Sequence, residues 1–380
     1  MSRTLILGAG FGGLSTAATL RSALGADHEI VLVDRAELFS MGLRKLWELV
    51  GIDTIAAGSR SRDHLAVPDV RVIRGEITEV RPAERSADVD GETLSADHLV
   101  LALGAVSRPD LVPGLAENAH DVWSVAGVPA AAEALRDFDG GRIMILIAGA
   151  PYPCPPAPYE CAFHLHEHLT ARGVRERSQI EIASIQPILM PNAGKEGSAW
   201  MAEHLERRGI SARAGRTIER VEPGRVVFDD GPQDVDLLIA VPPHRAAPVL
   251  AEAGLTNDKG WVPVDGRTLL TGHEGVYAIG DSTHITLANG LPFPKAGVMS
   301  ERQGAHVGAS IAAAVAGGEE PPPFDGTGFC FIEMGEAEAA RFTGRFFDEP
   351  APTLTMDDPG PSHAEEKRAF ESERLARWFR

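Results

Sequence analysis

The first 34 residues carry the pattern that most constrains the fold of this chain. An apolar run, "RTLIL", leads into Gly8-x-Gly10-x-x-Gly13. An amphipathic helical pattern follows, and "EIVLVD" then ends at Asp34. In a strand–turn–helix unit the first glycine makes the turn, the second admits a pyrophosphate, and the third lets helix and strand pack. An acid about 20 residues further on can bind a ribose. The spacing therefore predicts a Rossmann-like domain that binds a dinucleotide.

The segment between residues 110 and 240 predicts a second domain of the same kind. Its runs "RIMILIAG", "QIEIASI" and "DLLIAV" are typical of buried strands, and helical patterns lie near Tyr159–Arg172 and Ser198–Gly209. In a nucleotide-binding domain the turn after the first of these strands should be rich in glycine, but residues 151–156 read Pro-Tyr-Pro-Cys-Pro-Pro. Proline has no backbone N–H to offer a pyrophosphate. The turn therefore predicts that NAD(P)H binds poorly to the second domain.

The overall charge narrows the choice of partners. The chain has 380 residues, with 54 acidic against 36 basic ones and a formal net charge of −18. Nucleic-acid binding requires an excess of Lys and Arg, so this class of partner is excluded, whereas a basic electron-transfer partner is not.

No apolar run reaches the length of a membrane span, and the first apolar run is interpreted as a strand rather than a signal peptide. We therefore expect a cytoplasmic protein.

Four short motifs carry a resemblance that extends over essentially the whole chain. They are "CPPAPYE" at Cys154–Glu160, "AIGD" at Ala278–Asp281, "LPFPKAGV" at Leu291–Val298 and "CFIEMG" at Cys330–Gly335. With them the chain resembles the sulfide:quinone oxidoreductase and flavocytochrome c sulfide dehydrogenase family, a group of two-dinucleotide-binding-domain flavoproteins. The two cysteine motifs are the specific part of this resemblance, because the flavin motifs are shared far more widely.

The resemblance implies an α/β fold with two Rossmann-like dinucleotide-binding domains. A discontinuous FAD-binding domain would occupy residues 1–109 and 241–320. The second domain would be inserted at residues 110–240, and a small C-terminal segment at 321–380 would cover the flavin or form an interface.

The resemblance also implies FAD as the cofactor. Flavocytochrome-type members attach FAD through a cysteine in the loop after the second strand. That loop here, "RAELFSMGLRKLWELVG", contains no cysteine, so we expect non-covalent FAD. The helix after Pro294-Lys295 would direct its positive N-terminus at the flavin. The expected cofactor-binding residues are Gly8, Gly10, Phe11, Gly12, Gly13, Asp34, Arg35, Lys45, Ile77, Gly104, Gly280, Asp281, Lys295, Ala296 and Gly297.

Three residues match the catalytic positions of this family. Cys154 and Cys330 correspond to a redox pair beside the flavin, and Glu160 corresponds to a proposed acid/base. Because Cys154 lies just before a helix N-terminus, we expect it to have thiolate character. The implied activity is oxidation of sulfide or a small thiol or persulfide, with quinone or an electron-transfer protein as the acceptor.

Other interpretations stay open at this point. One is an enzyme similar to type II NADH dehydrogenases, which share the fold. Another is a flavin-bound protein without turnover, which senses redox state or carries sulfane sulfur. Cys161, His164 and His168 share one helical face and could ligate a metal. We expect instead a core cysteine, solvated histidines and no metal.

The C-terminal segment has two further features. Its aromatic residues predict a quinone pocket, a homodimer interface or ordinary core. They are Phe329, Phe331, Phe342, Phe346, Phe347, Trp378 and Phe379. The end of the segment is highly charged, so we expect at most weak peripheral contact with the inner face of the membrane.

Overall fold

The computed structural model describes residues 2–380. Strands and helices are numbered along the chain. The first part contains β1 Arg3–Leu7, α1 Phe11–Ala23, β2 Glu29–Asp34, β3 Leu38–Ser40, α2 Arg44–Val50, β4 Ser59–Ser61, β5 Val70–Arg74, β6 Ile77–Arg81, β7 Ser86–Val89, β8 Glu92–Ser95, β9 His98–Leu101 and β10 Ala105–Ser107.

The middle part contains α3 Leu115–Asn118, β11 His120–Asp121, α4 Val128–Asp137, β12 Gly141–Ile147, α5 Ala157–Ala171, β13 Ser178–Ser184, α6 Gly194–Glu206, β14 Ile210–Arg213, β15 Ile218–Glu222, β16 Arg225–Phe228, β17 Gly231–Asp234 and β18 Leu237–Val241. The last part contains β19 His244–Ala246, α7 Pro248–Glu252, β20 Val262–Pro263, β21 Val276–Ala278, β22 Thr283–His284, α8 Gly297–Ala316, β23 Thr327–Gly335, β24 Glu338–Arg345, β25 Thr353–Met356 and α9 Pro361–Trp378.

The first parallel sheet combines strands from both ends of the chain. Its order is β21-β9-β1-β2-β5, so the strand that ends in "AIGD" pairs with β9 beside the N-terminal strand. Helices α1 and α8 pack against each other at this sheet. Their approach is close, because a Cβ at Gly304 would lie 2.2 Å from the backbone oxygen of Gly12. Thr16 Oγ1 also donates a hydrogen bond to Gly304 O at 3.1 Å.

The second parallel sheet is formed by the middle of the chain. Its order is β11-β18-β12-β13-β14. The three runs that predicted buried strands are β12, β13 and β18, which lie side by side at the centre of the sheet. Helix α5 begins directly after the proline-rich turn and buries its apolar side in the core beside β12 and β13.

The C-terminal segment connects the two sheets. An antiparallel sheet, β23-β24-β25, packs through β23 on α5. Helix α9 then returns to the first domain, where Trp378 contacts Phe11 and Phe39, and Phe379 pairs with Leu65. Along residues 2–380, no helix combines the length and apolar character needed to cross a membrane.

The predicted α/β class with two Rossmann-like sheets is confirmed by these strand orders. The domain boundaries at residues 109, 240 and 320 stay predictions.

The contact between α1 and α8 gives a test of this packing. The substitution Gly304→Ala should lower the unfolding free energy by about 1–3 kcal/mol, because the added methyl meets the backbone of α1. Helix propensity alone would predict a higher unfolding free energy for the variant, since alanine favours a helix by about 1 kcal/mol over glycine. Thermal unfolding of both proteins measures the difference. The control is Gly25→Ala, whose Cβ would meet no atom within 4 Å. A more stable Gly304→Ala variant would contradict the close approach.

Candidate active site

A cavity of about 370 Å³ lies where the glycine-rich turn, α8 and the C-terminal segment meet, and we call it the glycine-loop cavity. Nine of the expected cofactor-binding residues and all three expected catalytic residues line it. They are Gly10, Phe11, Gly12, Lys45, Gly104, Gly280, Asp281, Ala296 and Gly297, with Cys154, Glu160 and Cys330.

The glycine turn has the shape that a bound pyrophosphate needs. Gly8 has a φ of +105°, and a Cβ there would lie 2.3 Å from the backbone oxygen of Ala102. A Cβ at Gly13 would lie 1.9 Å from Gly8 O, so this glycine permits the contact between α1 and β1. A Cβ at Gly10 would meet nothing within 4 Å. The turn is therefore packed on the protein side and open on the side of the cavity.

Asp34 fixes the glycine turn to the end of β2. Its carboxylate accepts hydrogen bonds from the backbone N–H groups of Ala9 and Ala36, both at 2.8 Å. Arg62 Nη2 lies 3.4 Å from the same carboxylate, and Arg62 Nε donates to Ala9 O. No sequence motif identifies Arg62, because it begins a single 3-10 turn, Arg62–His64, far from the glycine turn in sequence.

Three expected cofactor residues lie elsewhere, and one of them, Lys295, lines the second cavity described below. Arg35 has a side chain that is 69% exposed and pairs with Glu76 at 3.3 Å. Ile77 lies at the start of β6 and packs with the core around Trp261 and Val80. The proposal that these two side chains bind the cofactor therefore has no support from their contacts in the protein.

Asp281 and Lys295 form a buried polar group at the end of the "AIGD" strand. Asp281 Oδ1 is buried and has no hydrogen-bond partner among residues 2–380, and burial raises the pKa of this carboxyl. Lys295 Nζ donates to the backbone oxygens of Asp281 and Thr283 and lies 3.7 Å from the centre of the Trp261 ring. Burial lowers the pKa of Lys295 to about 7. A buried carboxylate oxygen with no protein partner suits a ligand that can donate a hydroxyl hydrogen bond.

Cys154 and Cys330 meet at the wall of the glycine-loop cavity. Both residues line this cavity, and the two thiols are close enough to shift each other's pKa. This contact raises the pKa of Cys154 and lowers that of Cys330, to which the Phe331 backbone N–H also donates. The expected thiolate character of Cys154 finds no support in this direction, which favours ionisation at Cys330.

The helix that follows Cys154 explains this difference. At the start of α5, Pro156 and Pro158 have no N–H, and the Ala157 N–H donates to Cys154 O at 2.9 Å. The helix therefore has few free N–H groups to stabilise a thiolate at Cys154.

Contacts from two other segments hold the turn that carries Cys154. The Cys154 N–H donates to Lys295 O at 2.7 Å, and Trp123 Nε1 donates to Pro153 O at 2.8 Å. Cys154 itself has a φ of +58°, a conformation that needs support from surrounding structure. The turn is thus tied both to the segment before α8 and to its own domain.

A buried network of charged groups lies next to the cysteines. Lys367 Nζ from α9 lies 2.6 Å from Glu160 Oε1 and 3.5 Å from Glu333 Oε2. The Glu333 N–H donates to Glu160 Oε2 at 3.0 Å, and Trp47 Nε1 donates to Glu333 Oε2 at 2.7 Å. His164 Nε2 lies 2.8 Å from Glu333 Oε2. Sequence reasoning found Glu160 but missed Glu333 and Lys367, although Glu333 lies within the "CFIEMG" motif.

The alternative metal site on α5 does not form. Cys161 is fully buried in the core, burial raises the pKa of its thiol, and His168 Nδ1 contacts Val50 O at 3.1 Å. Within residues 2–380, one group with metal-ligating spacing exists, formed by Glu160, His164 and Glu333. Both carboxylates of this group already contact Lys367 Nζ, at 2.6 and 3.5 Å. His164 is buried, so the expectation of a solvated histidine is wrong at this position. The absence of a metal stays a prediction.

The aromatic residues of the C-terminal segment separate into three sets. Phe331 lines the glycine-loop cavity together with Phe370. Phe329, Phe342 and Phe346 line a second cavity. Trp378, Phe379 and Phe347 pack in the core of the first domain.

The second cavity, of about 720 Å³, lies on the other side of Cys330, and we call it the proline-loop cavity. Pro151, Tyr152, Pro155 and Pro156 form part of its wall. Cys330 and Ala296 line both cavities, so the two cavities adjoin at these residues. Cys154, by contrast, lines the glycine-loop cavity but not the second cavity.

Comparison with known proteins defines the family. Residues 2–309 match the pyridine nucleotide-disulphide oxidoreductase family, so the chain belongs to that family of flavin-type oxidoreductases. It is 25% identical over 299 residues to the mitochondrial sulfide:quinone oxidoreductase of Mus musculus. That match covers 74% of this chain and 65% of the mouse protein, which is under two thirds of the relative's length. It is also 23% identical over 335 residues to a type II NADH:quinone oxidoreductase of Staphylococcus epidermidis, covering 81% of each.

Solved structures confirm the fold. The sulfide:quinone oxidoreductase of Aquifex aeolicus has a TM-score of 0.86 at 21% identity, covering 99% of this chain and 92% of that one. An NAD-dependent persulfide reductase from A. fulgidus has a TM-score of 0.69 at 19% identity, covering 90% and 63%. The resemblance predicted from the four motifs is therefore confirmed at the level of relatives and fold.

The charged network predicts a pH dependence of stability. Burial alone would raise the pKa of Glu333, but Lys367, His164 and Trp47 outweigh it and lower the pKa to about 2, against an ordinary value of 4.5. A lowered folded-state pKa stabilises the protein above pH 4.5, and this stabilisation is lost as the pH falls towards 2. Its size is on the order of 3 kcal/mol. Denaturant unfolding of wild type and Glu333→Gln should differ most above pH 4.5 and converge near pH 2. A difference that is independent of pH would contradict this ionisation.

Proposed function

We propose that this protein is an FAD-dependent oxidoreductase that oxidises sulfide or a small thiol or persulfide. Cys154 and Cys330 are its redox pair, and a quinone or an electron-transfer protein is its acceptor. The observation that carries this proposal is the meeting of two distant cysteines at the wall of the glycine-loop cavity. The relatives named as sulfide:quinone oxidoreductases support the substrate and the acceptor.

The residues of the glycine-loop cavity fit FAD. The turn at Gly10 is open on the cavity side, and Asp281 offers a buried carboxylate oxygen without a protein partner. Asp34, Lys45 and the N-terminus of α8 at Gly297 complete the proposed site. The loop after β2 contains no cysteine, which supports non-covalent binding. When bound, FAD supplies a two-electron acceptor beside the cysteines.

The chain supplies the sulfur chemistry. In the oxidised state Cys154 and Cys330 form a disulfide. Hydrosulfide attacks the sulfur of Cys330, a bond forms between the two sulfurs, and Cys154 leaves as a thiolate. The product is a Cys330 persulfide, so no atom or electron is lost. A second hydrosulfide attacks the outer sulfur of the persulfide, hydrogen disulfide leaves, and the electron pair of the broken bond stays on the Cys330 thiolate. The two thiolates then re-form their disulfide and give two electrons to the bound acceptor. Glu160, linked to Lys367, is placed to move the accompanying proton.

The proposed quinone site also lies in the glycine-loop cavity. Phe331 and Phe370 give it apolar surface next to the pair formed by Glu160 and Lys367. A quinone needs both an apolar wall for its ring and a proton source for its reduced oxygens. The cytoplasmic location, peripheral contact with the inner face of the membrane and a homodimer stay predictions.

NADH oxidation is the second candidate function, because several relatives are named as type II NADH:quinone oxidoreductases. The proline-rich turn speaks against it, since Pro151, Pro153, Pro155 and Pro156 have no N–H. The residues after β13 are Ile185 and Gln186, so no acid stands where a second ribose would be bound. A sensor or sulfur carrier without turnover is the third candidate.

The cysteine pair gives the main test. Under anaerobic conditions, sulfide should bleach the flavin of the wild type and of Cys161→Ser at similar rates. Cys154→Ser and Cys330→Ser should keep their flavin yet lose at least a hundredfold in this rate, because the disulfide cannot form. Stopped-flow absorbance measures the rates. Rapid bleaching of either variant, or none in the wild type, would overturn the proposal.

The NADH alternative gives a separate test. NADH and NADPH should bleach the wild-type flavin far more slowly than sulfide does, because the proline-rich turn has no N–H donors for the pyrophosphate. The same stopped-flow experiment compares the three reductants at equal concentration. Reduction by either nucleotide at about 10 per second or faster would favour the NADH dehydrogenase function.

A further inference from the structure

Three titratable residues form a row along α5 that leads away from the cysteines, and we call it the α5 row. Glu160, His164 and His168 are spaced four residues apart, so their side chains follow one face of the helix. Glu160 lines the glycine-loop cavity, whereas the two histidines line neither cavity. The α5 row therefore starts at the site and continues behind its wall.

Burial makes a path for protons necessary. The exposed fractions of the Lys367, Glu160 and His164 side chains are 5%, 7% and 6%. Reduction of a quinone to a hydroquinone consumes two protons. A quinone in the glycine-loop cavity covers Glu160 and Lys367, because both residues belong to the wall of that cavity. Protons from solvent must then reach these groups from behind the wall.

His164 lies at the inner end of this path. Its Nε2 is 2.8 Å from Glu333 Oε2 and 3.9 Å from Glu160 Oε1. Lys367 Nζ contacts the same two carboxylates from α9. A small turn of the imidazole ring can therefore bring its Nε2 proton to the carboxylate that lines the cavity.

His168 lies at the outer end and is the first residue of the α5 row that is partly exposed. Its Nδ1 is 3.1 Å from Val50 O, and a carbonyl oxygen only accepts, so Nδ1 carries the hydrogen. Nε2 is buried and has no hydrogen-bond partner among residues 2–380. Burial lowers the pKa of His168, with a smaller contribution from Arg172 and an opposing one from Val50 O. The neutral ring thus keeps a lone pair on Nε2 that can accept a proton.

We propose that His164 and His168 carry protons from solvent to Glu160 while the acceptor is reduced. The proposal rests on the proposed function. His168 takes a proton at Nε2 as its ring turns towards solvent, and passes it through a bridging water to His164 Nδ1. His164 then releases the proton on Nε2 to Glu160, which has given its own proton to the reduced acceptor. A turn of the His164 ring restores the starting state. Solvent loses one proton, the acceptor gains one, and no electron moves along this path.

Two variants test the path, because each keeps the contact of a histidine but cannot carry a proton. In His164→Gln the amide Nε2 replaces the imidazole Nε2 beside Glu333. In His168→Asn the amide Nδ2 replaces Nδ1 at Val50 O. The holoenzyme is reduced with stoichiometric dithionite and mixed anaerobically with a soluble benzoquinone, and stopped-flow absorbance follows the return of the flavin colour. We expect reoxidation at least tenfold slower in each variant.

Two comparisons separate a proton path from a structural role. The double variant should be hardly slower than either single variant, because the second substitution interrupts a path that is already broken. The matched control is His166→Asn on the same helix, whose amide oxygen can still accept from Arg175 Nε as His166 Nδ1 does. This control should reoxidise at the wild-type rate.

Rescue by a small base provides a further measurement. Imidazole in the buffer should restore at least half of the reoxidation rate of His168→Ala, because it can enter the space at the partly exposed end of the α5 row. Wild-type rates in both single variants, or no rescue by imidazole, would overturn the path. If the quinone fails to reoxidise the wild type, the acceptor and the path are both wrong. If the quinone reoxidises it but sulfide does not reduce the flavin, the sulfur substrate is wrong, and the variants still decide whether the path exists.

Discussion

The ion pair between Lys367 and Glu160 is the interaction on which the site depends. Lys367 is on the last helix and Glu160 is on the helix after the proline-rich turn, and both are almost completely buried. Breaking a buried pair by removal of one partner typically costs about 3–5 kcal/mol, because the other charge is left without compensation. Glu333, on β23, lies 3.5 Å from the same lysine, so this contact also holds β23 against α9. The pairing therefore fixes both Cys330, on β23, and Cys154, which lies before α5, relative to one another.

Local features of the site could be predicted from the sequence, because neighbouring residues determine them. The strand, glycine turn, helix and Asp34 form one contiguous unit, and the proline-rich turn is visible in the sequence. The partners of Asp34 and Glu160 could not be found in this way, since Arg62 and Lys367 reach them through the tertiary fold. The cysteine pair was predicted only through resemblance to a family, as no spacing rule connects Cys154 with Cys330.

The surroundings of Cys154 do not support the thiolate character that its position before a helix predicts. A helix N-terminus stabilises an anion through its free N–H groups, and the sequence of α5 places prolines at those positions. The neighbouring thiol of Cys330 raises the pKa of Cys154 further, and this neighbour is present only in the folded protein. Pro156 belongs also to the proline-rich turn, whose prolines remove donors for a nucleotide pyrophosphate and in part line the proline-loop cavity. One short segment thus shapes both the surroundings of Cys154 and the wall of the proline-loop cavity.

Because the first sheet combines strands from both ends of the chain, it cannot be completed early during synthesis on the ribosome. Strands β1, β2, β5 and β9 emerge early, but the edge strand β21 and the helix α8 that covers α1 come from residues 276–316. The second sheet, by contrast, is complete once β18 has emerged at Val241. The inserted domain can therefore fold on the nascent chain while the first domain is still incomplete. Cys154 can meet Cys330 only after residue 330 has left the ribosome, so an unfinished chain cannot bring the two cysteines together.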